Sequence, residues 1–192
     1  MKTGKIIFLN GVSSTGKSTL ARSLQNKLTD HFYWLDYDNI IHMAVDNPKK
    51  IADPHTFFQK NKDPVTIMFH TIKMYSDFEI NVIAEGCLFR PFPKEIKAYD
   101  FCVDLLHGYP VLSVLVTCPA DELRRRERKR GDRRVGEGEQ RLSDVDPNVV
   151  YDITVDTFNE STDACADKII EMLNCPDKIT AFKTLRSQRM NK

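Results

Sequence analysis

Residues Gly11-Val12-Ser13-Ser14-Thr15-Gly16-Lys17-Ser18 satisfy the pattern G-x-x-x-x-G-K-[ST] without a deviation. Two glycines let the backbone curl so that successive N–H groups point inward, and a helix leaving the loop adds its positive N-terminal end. Together they form a concave nest for a polyphosphate. Lys17 supplies a point charge for the β and γ phosphates, the Ser18 hydroxyl can ligand Mg²⁺, and Thr19 follows in the first turn of the helix. A chance glycine turn is the alternative. It is disfavoured by context, because the apolar run Ile6–Leu9 enters the loop and an amphipathic stretch leaves it.

Two further segments place acids at strand ends. Trp34-Leu35-Asp36-Tyr37-Asp38 closes a second apolar run with two carboxylates, either of which can take the proton of a hydroxyl attacking the γ-phosphate. Asp38 is favoured because it sits where strand gives way to helix. The competing reading makes it merely the cap of a helix over 39–45, with His42 one turn on in a surface or supporting role. Asn81-Val82-Ile83-Ala84-Glu85-Gly86 ends a third apolar run in Glu85, placed to join the Mg²⁺ shell through water.

Residues 122–134 hold eight basic side chains against three acids, with Leu123 as the lone apolar residue. A helix of that composition is not expected to be buried. Three readings stand: a solvated face laced by i,i+4 pairs, an RNA-binding patch, or a mobile lid over ATP hinged at Gly136 and Gly138. The lid reading is preferred, since arginines there would neutralise charge on the phosphoryl group in flight and exclude water.

Such residues need a scaffold that brings strand ends together. Apolar strands are expected over Lys5–Asn10, Tyr33–Tyr37, Glu79–Ala84, Val111–Thr117 and Val150–Val155. Between them helical spacing appears at 17–28, from Asp63 and Pro64 through Tyr75, from Pro93 through Leu106, after Pro119, and from a Ser161 or Thr162 cap to Leu173. Alternating strands and helices argue for an α/β fold with a parallel sheet, its ligand site at the carboxyl ends of the strands. The expectation is one P-loop domain over 1–192, a nucleotide-kinase-like three-layer sandwich on five parallel strands. It carries an arginine-rich lid near 120–140 and a basic tail over 176–192 that is either a solvated helix or a frayed end.

Composition bounds the rest. With 41% hydrophobic and 29% charged residues the chain is a folded globular one. A net charge of +1 is too small for a protein that coats nucleic-acid phosphates, so nucleic acid is not an expected partner. No apolar run approaches the ~18–20 residues of a membrane helix, and the N-terminal run is too broken for a signal peptide. Five cysteines without a CxxC pair read as thiols in a cytoplasmic protein. Trp34, Phe57, Phe58, Phe89 and Phe92 are core residues or the lining of an acceptor pocket.

The assembled pieces resemble the chloramphenicol phosphotransferase family of P-loop kinases. They are Asn10-Gly11 with Ser13-Ser14, Asp38-Asn39-Ile40-Ile41, Val82–Glu85, Cys118-Pro119, Arg126-Glu127-Arg128-Lys129-Arg130-Gly131-Asp132-Arg133, and Tyr151-Asp152-Ile153-Thr154-Val155-Asp156-Thr157. The resemblance implies ATP-dependent phosphorylation of a hydroxyl on a small molecule, with Asp38 as proton acceptor. It implies that Arg126, Arg130 and Arg133 stand on the nucleotide side and that the loop after Thr157 lies near the adenine. Residues 44–78, which would shape the acceptor pocket, show no such match, and Glu85 stands alone where the family often has a pair of acids. The alternatives are a nucleoside, nucleotide or nucleotide-sugar (toxin-like) kinase, an RNA-end kinase, and a nucleotide-binding switch without an acceptor.

Overall fold

The computed structural model describes residues 2–43, 54–86, 98–131, 134–143, 145 and 149–190, with 54–61 described by backbone alone. Five parallel strands run β1 (Ile6–Asn10), β2 (Phe32–Asp36), β3 (Asn81–Gly86), β4 (Val111–Thr117) and β5 (Ile153–Asp156), in the spatial order β2-β3-β1-β4-β5. The order reverses at β1, so a crevice opens at its carboxyl end, where Gly11–Ser18 begins.

Two faces of β1 build two cores. Ile6 and Phe8 point to one side, against Val65, Met68, Phe69 and Ile72 of α3 (Pro54–Asp77) and Tyr99, Val103 and Leu106 of α4 (Ala98–Leu106). Ile7 and Leu9 point to the other, against Leu20 and Leu24 of α1 (Lys17–Lys27) and Cys165, Ala166 and Ile169 of α7 (Thr162–Leu173). The period-2 alternation of a strand buried on both faces thus accounts for the three layers. Ser161 caps α7, its Oγ accepting from the Ala164 N–H at 3.1 Å. On the edge strand β2, the half-buried Trp34 lies under the guanidinium of Arg22 from α1, 5.5 Å from the ring centre.

Several boundaries differ from the sequence expectation. Asp63 and Pro64 do not start a helix, since α3 begins at Pro54 and carries Pro64 inside it. Pro64 forfeits a bond at a cost of ~3 kcal/mol. Burial of Val65, Met68, Phe69 and Ile72 outweighs it, at about 1.5–3 kcal/mol per side chain. β2 stops at Asp36, because that side chain accepts from the Asp38 N–H at 2.9 Å and starts α2 (Tyr37–His42). β3 begins at Asn81, after Glu79 turns the chain in a left-handed conformation (φ 61°). β5 begins at Ile153, because the Asp152 carboxylate has already taken the Ser113 N–H at 2.8 Å.

Through Met190 the basic tail is not frayed. Helix α8 (Ala181–Met190) buries Ala181, Phe182 and Leu185, and its start is clasped by Asp152, whose Oδ1 accepts from the N–H groups of Thr180 and Ala181 at 2.7 and 2.8 Å. Of the cysteines, Cys102, Cys118 and Cys165 are buried free thiols, Cys175 is a half-buried one, and Cys87 lies outside the described residues. The start of the helix expected at Pro93, Phe89 and Phe92, and the side chains of Phe57 and Phe58 also lie outside them. Among the described residues, no helix is long and apolar enough to cross a membrane.

Candidate active site

The phosphate loop is shaped by what its carbonyls meet. Gly11 runs hard against β4, where a Cβ would stand 2.5 Å from the Val116 carbonyl oxygen. Ser14 (φ 66°) and Gly16 (φ 93°) both adopt left-handed backbone, the alternation that turns consecutive amides to one side. The Ser14 carbonyl accepts from Arg126 Nη1 at 3.3 Å, the Thr15 carbonyl from Thr157 Oγ1 at 2.6 Å, and the Val12 carbonyl from Thr15 Oγ1 at 3.0 Å. Lys17 Nζ donates to Gly11 O at 2.8 Å and Val12 O at 3.0 Å. Helix α1 has no side-chain cap and no acid in its first turn, so its leading N–H groups suit an anion.

One cleft of about 1090 Å³ gathers most of the residues singled out from sequence: Ser13, Ser14, Gly16, Lys17, Ser18, Thr19, Asp38, Glu85, Arg126 and Arg130. That volume exceeds the ~300–1,000 Å³ of an ordinary ligand pocket. Gly11, Val12 and Thr15 do not line the cleft, and Val12 packs on Cys118 and Leu123. Arg133 lies outside the described residues, and Trp34 packs away from the cleft.

On the β2–β3 side the acids assemble. Asp36 and Glu85 are partners in register across the two strands, and Asp38 sits in the first turn of α2. The cap of that helix is Asp36, not Asp38, which leaves Asp38 on the cleft wall. Glu85 is 2% exposed, and among the described residues neither oxygen has a hydrogen-bond partner at ordinary distance, the Ser18 hydroxyl lying near it. Burial pushes its carboxyl above the ordinary glutamate range, and the charges of Asp36 and Asp38 add to this, whereas Lys17 and the Ser18 hydroxyl pull the other way. No three acids, histidines or cysteines among the described residues are gathered closely enough to hold a metal by themselves, but the buried Glu85 carboxylate and the Ser18 hydroxyl are hard oxygen donors of the kind Mg²⁺ takes alongside water and phosphate.

The raised Glu85 value has a testable consequence. The folded state holds the proton to higher pH than the unfolded chain does, so stability declines as pH rises from the ordinary glutamate range through the folded value. Glu85→Gln removes that decline. The nucleotide-free variant is expected to melt at higher temperature than the parent above this window and alike below it. Thermal unfolding across pH 4–8 checks this; parallel curves would contradict it.

The arginine segment corrects the expectation that it cannot be buried. In α5 (Ala120–Arg130), Glu122, Leu123 and Glu127 are buried. Glu122 accepts from Arg125 Nε and Nη2 at 2.6 and 2.7 Å and from Arg126 Nε at 2.8 Å, and these guanidiniums hold its carboxyl down to about 2. Arg124 pairs with Asp121 and with Glu139 of α6 (Glu137–Leu142). The acids therefore aim the cations, and Arg125, Arg126, Lys129 and Arg130 form one stripe along the cleft, joined by Glu137 and Arg141 of α6. Arg126 is also a strut, donating from Nη1 to Thr157 Oγ1 at 3.0 Å and from Nη2 to Thr157 O at 2.9 Å.

Sequence reading missed Arg125, Lys129 and Arg141 as lining residues and Thr157 as a brace of the loop. The i, i+1, i+4, i+5 spacing of Arg125, Arg126, Lys129 and Arg130 was the available signal for one shared face. Nothing local marks Thr157, whose partners Thr15 and Arg126 are distant in sequence.

The family described as chloramphenicol phosphotransferase-like protein matches this chain over residues 4–174. A Mycobacterium tuberculosis (H37Rv) protein named for O-phosphotransferase activity is 27% identical, over 98% of this chain and 90% of its own length. Among solved structures, the Mycobacterium tuberculosis APS kinase in complex with AMPPNP and APS superposes with a TM-score of 0.63 at 18% identity, covering 91% of this chain and 99% of that one. A gluconokinase from Sinorhizobium meliloti 1021 gives 0.63 at 13% identity, covering 96% and 97%. At such identities the structures speak for a shared fold.

Proposed function

The chain belongs to the chloramphenicol phosphotransferase-like family and is a kinase acting on a small-molecule hydroxyl; from that premise we propose how its residues divide the work. One observation carries the reading: a phosphate loop, a cationic wall and a cluster of acids share a single cleft, with the acids on the β2–β3 side and the cations on the α5–α6 side.

The triphosphate rests on the amides of residues 13–18 and the start of α1. Lys17 exchanges the Gly11 and Val12 carbonyls for the β and γ phosphates, and Arg126 and Arg130 balance the charge that builds as the phosphoryl group moves. Asp38 accepts the acceptor's hydroxyl proton. The new bond joins that oxygen to the γ phosphorus, the bond from the γ phosphorus to the bridging oxygen breaks, and ADP carries away the electron pair. Ser18 directly and Glu85 through water would hold Mg²⁺, which would neutralise phosphate charge when bound. Helices α5 and α6 form the lid side, and the loop after Thr157 receives the base. The transition state is loose, so positioning and charge supply most of the rate.

The test is an acceptor screen with Mg·ATP, reading ADP release together with a product heavier by one phosphoryl group. The panel holds chloramphenicol, aminoglycosides, nucleosides, nucleotides, nucleotide sugars and RNA ends. A phosphorylated small-molecule hydroxyl is the expected result, and its identity separates the acceptor classes. Nucleotide binding with slow hydrolysis and no phosphorylated product would instead favour a nucleotide-dependent switch.

A further inference from the structure

Glu127 has no part in that chemistry, yet it is fully buried and both of its oxygens are used. Its Oε2 accepts from the Gly136 N–H at 2.6 Å and its Oε1 from the Gly138 N–H at 2.8 Å. These amides belong to the start of α6, where Gly136 is the cap residue and offers no side chain of its own. The cap is delivered from the preceding helix. A buried carboxylate is costly unless its lone pairs are filled, and here it meets orphan amides at the positive end of a helix.

The glycine at 138 shows what this clasp is for. A Cβ there would stand 2.7 Å from the Ser13 carbonyl oxygen and 3.1 Å from Glu127 Oε1, so the α6 backbone rests directly on the phosphate loop. One turn on, α6 presents Arg141 to the cleft, with Glu137 at its start. The Arg124–Glu139 ion pair ties the same two helices a second time.

We propose that Glu127 is a positioning residue for the nucleotide: by seating the start of α6 on the phosphate loop, it holds Arg141 against the cleft and fixes the Ser13 peptide. The inference rests on nucleotide binding in this cleft and not on the identity of the acceptor or on Asp38.

The experiment is a double-mutant cycle with Glu127→Gln and Arg141→Ala, read as AMPPNP affinity by calorimetry, with Tm recorded alongside. Glutamine offers one acceptor and turns a donor toward one of the two amides. Each single change is expected to weaken binding about tenfold, and the double variant to bind no worse than Glu127→Gln alone. Additive losses, or wild-type affinity in either single variant, would overturn the proposal. A merely structural role would lower Tm and leave the affinity of the folded molecules unchanged. Should Glu127→Gln not fold, Gly138→Ala keeps the carboxylate and pushes α6 off Ser13. It is expected to lose about the same affinity, and wild-type affinity there would equally overturn the proposal. Failure of the parent protein itself to bind AMPPNP would instead strike the assignment of the nucleotide site.

Discussion

Asparagine in place of Asp38 is expected to leave AMPPNP binding intact and to lower phosphoryl transfer by about 10²–10⁴-fold, the range lost with a general base. The side chain keeps its shape and stays in the first turn of α2, on the cleft wall beside Asp36 and Glu85. Only the capacity to take a proton is gone. Rapid-quench transfer to an acceptor identified in the screen, beside calorimetric AMPPNP binding, separates the two effects, and undiminished turnover would remove Asp38 from the mechanism. Asp36→Asn is the informative comparison. Asp36 accepts from the Asp38 N–H at the cap of α2, so its loss acts on the placement of Asp38. Asparagine is itself a good cap, so the fold should hold while transfer falls less than in the Asp38 variant.

The second large effect is expected from Lys17→Ala. Its ammonium now bridges the Gly11 and Val12 carbonyls and is the chief charge that favours the ionised Glu85 carboxylate. Alanine should weaken AMPPNP binding and lower turnover by about 10²–10³-fold, the cost of one preorganised donor to developing negative charge. Lys17→Arg should not restore it, because a planar guanidinium is not an interchangeable point charge. Binding and single-turnover kinetics at constant salt check both variants. Arginine at wild-type rate would show that charge alone, without a compact donor, suffices at this position.

The loop was legible because its chemistry is local: glycines, lysine and serine sit within eight residues, and the strand before and helix after follow from simple periodicity. Val111–Thr117 was read to the residue, since a buried central strand is a continuous apolar run with sharp ends. The start of α3 was missed because Asp63-Pro64 has the local form of a helix beginning, and only tertiary burial tells an interior proline from an initial one. Asp38 is preferred over Asp36 only for its place at the strand–helix junction; both acids line the cleft, and that Asp36 also caps α2 depends on where the strand stops. The arginine segment misled for the opposite reason. Its sum of charge argued against any burial, but Glu122 and Glu127 lie on the inner face and organise their neighbours. Counting charges could not show which of them pair across a turn and which point at a ligand.

The half-buried indole of Trp34 gives this molecule a built-in optical label. It is the sole tryptophan in the chain, two residues before Asp36 and beneath the Arg22 guanidinium of α1, the helix that leaves the phosphate loop. A small rotation of α1 against the sheet edge would therefore change the quenching of a single fluorophore. Ligand occupancy could be followed by emission in the unmodified protein, without dye, tag or coupled enzyme.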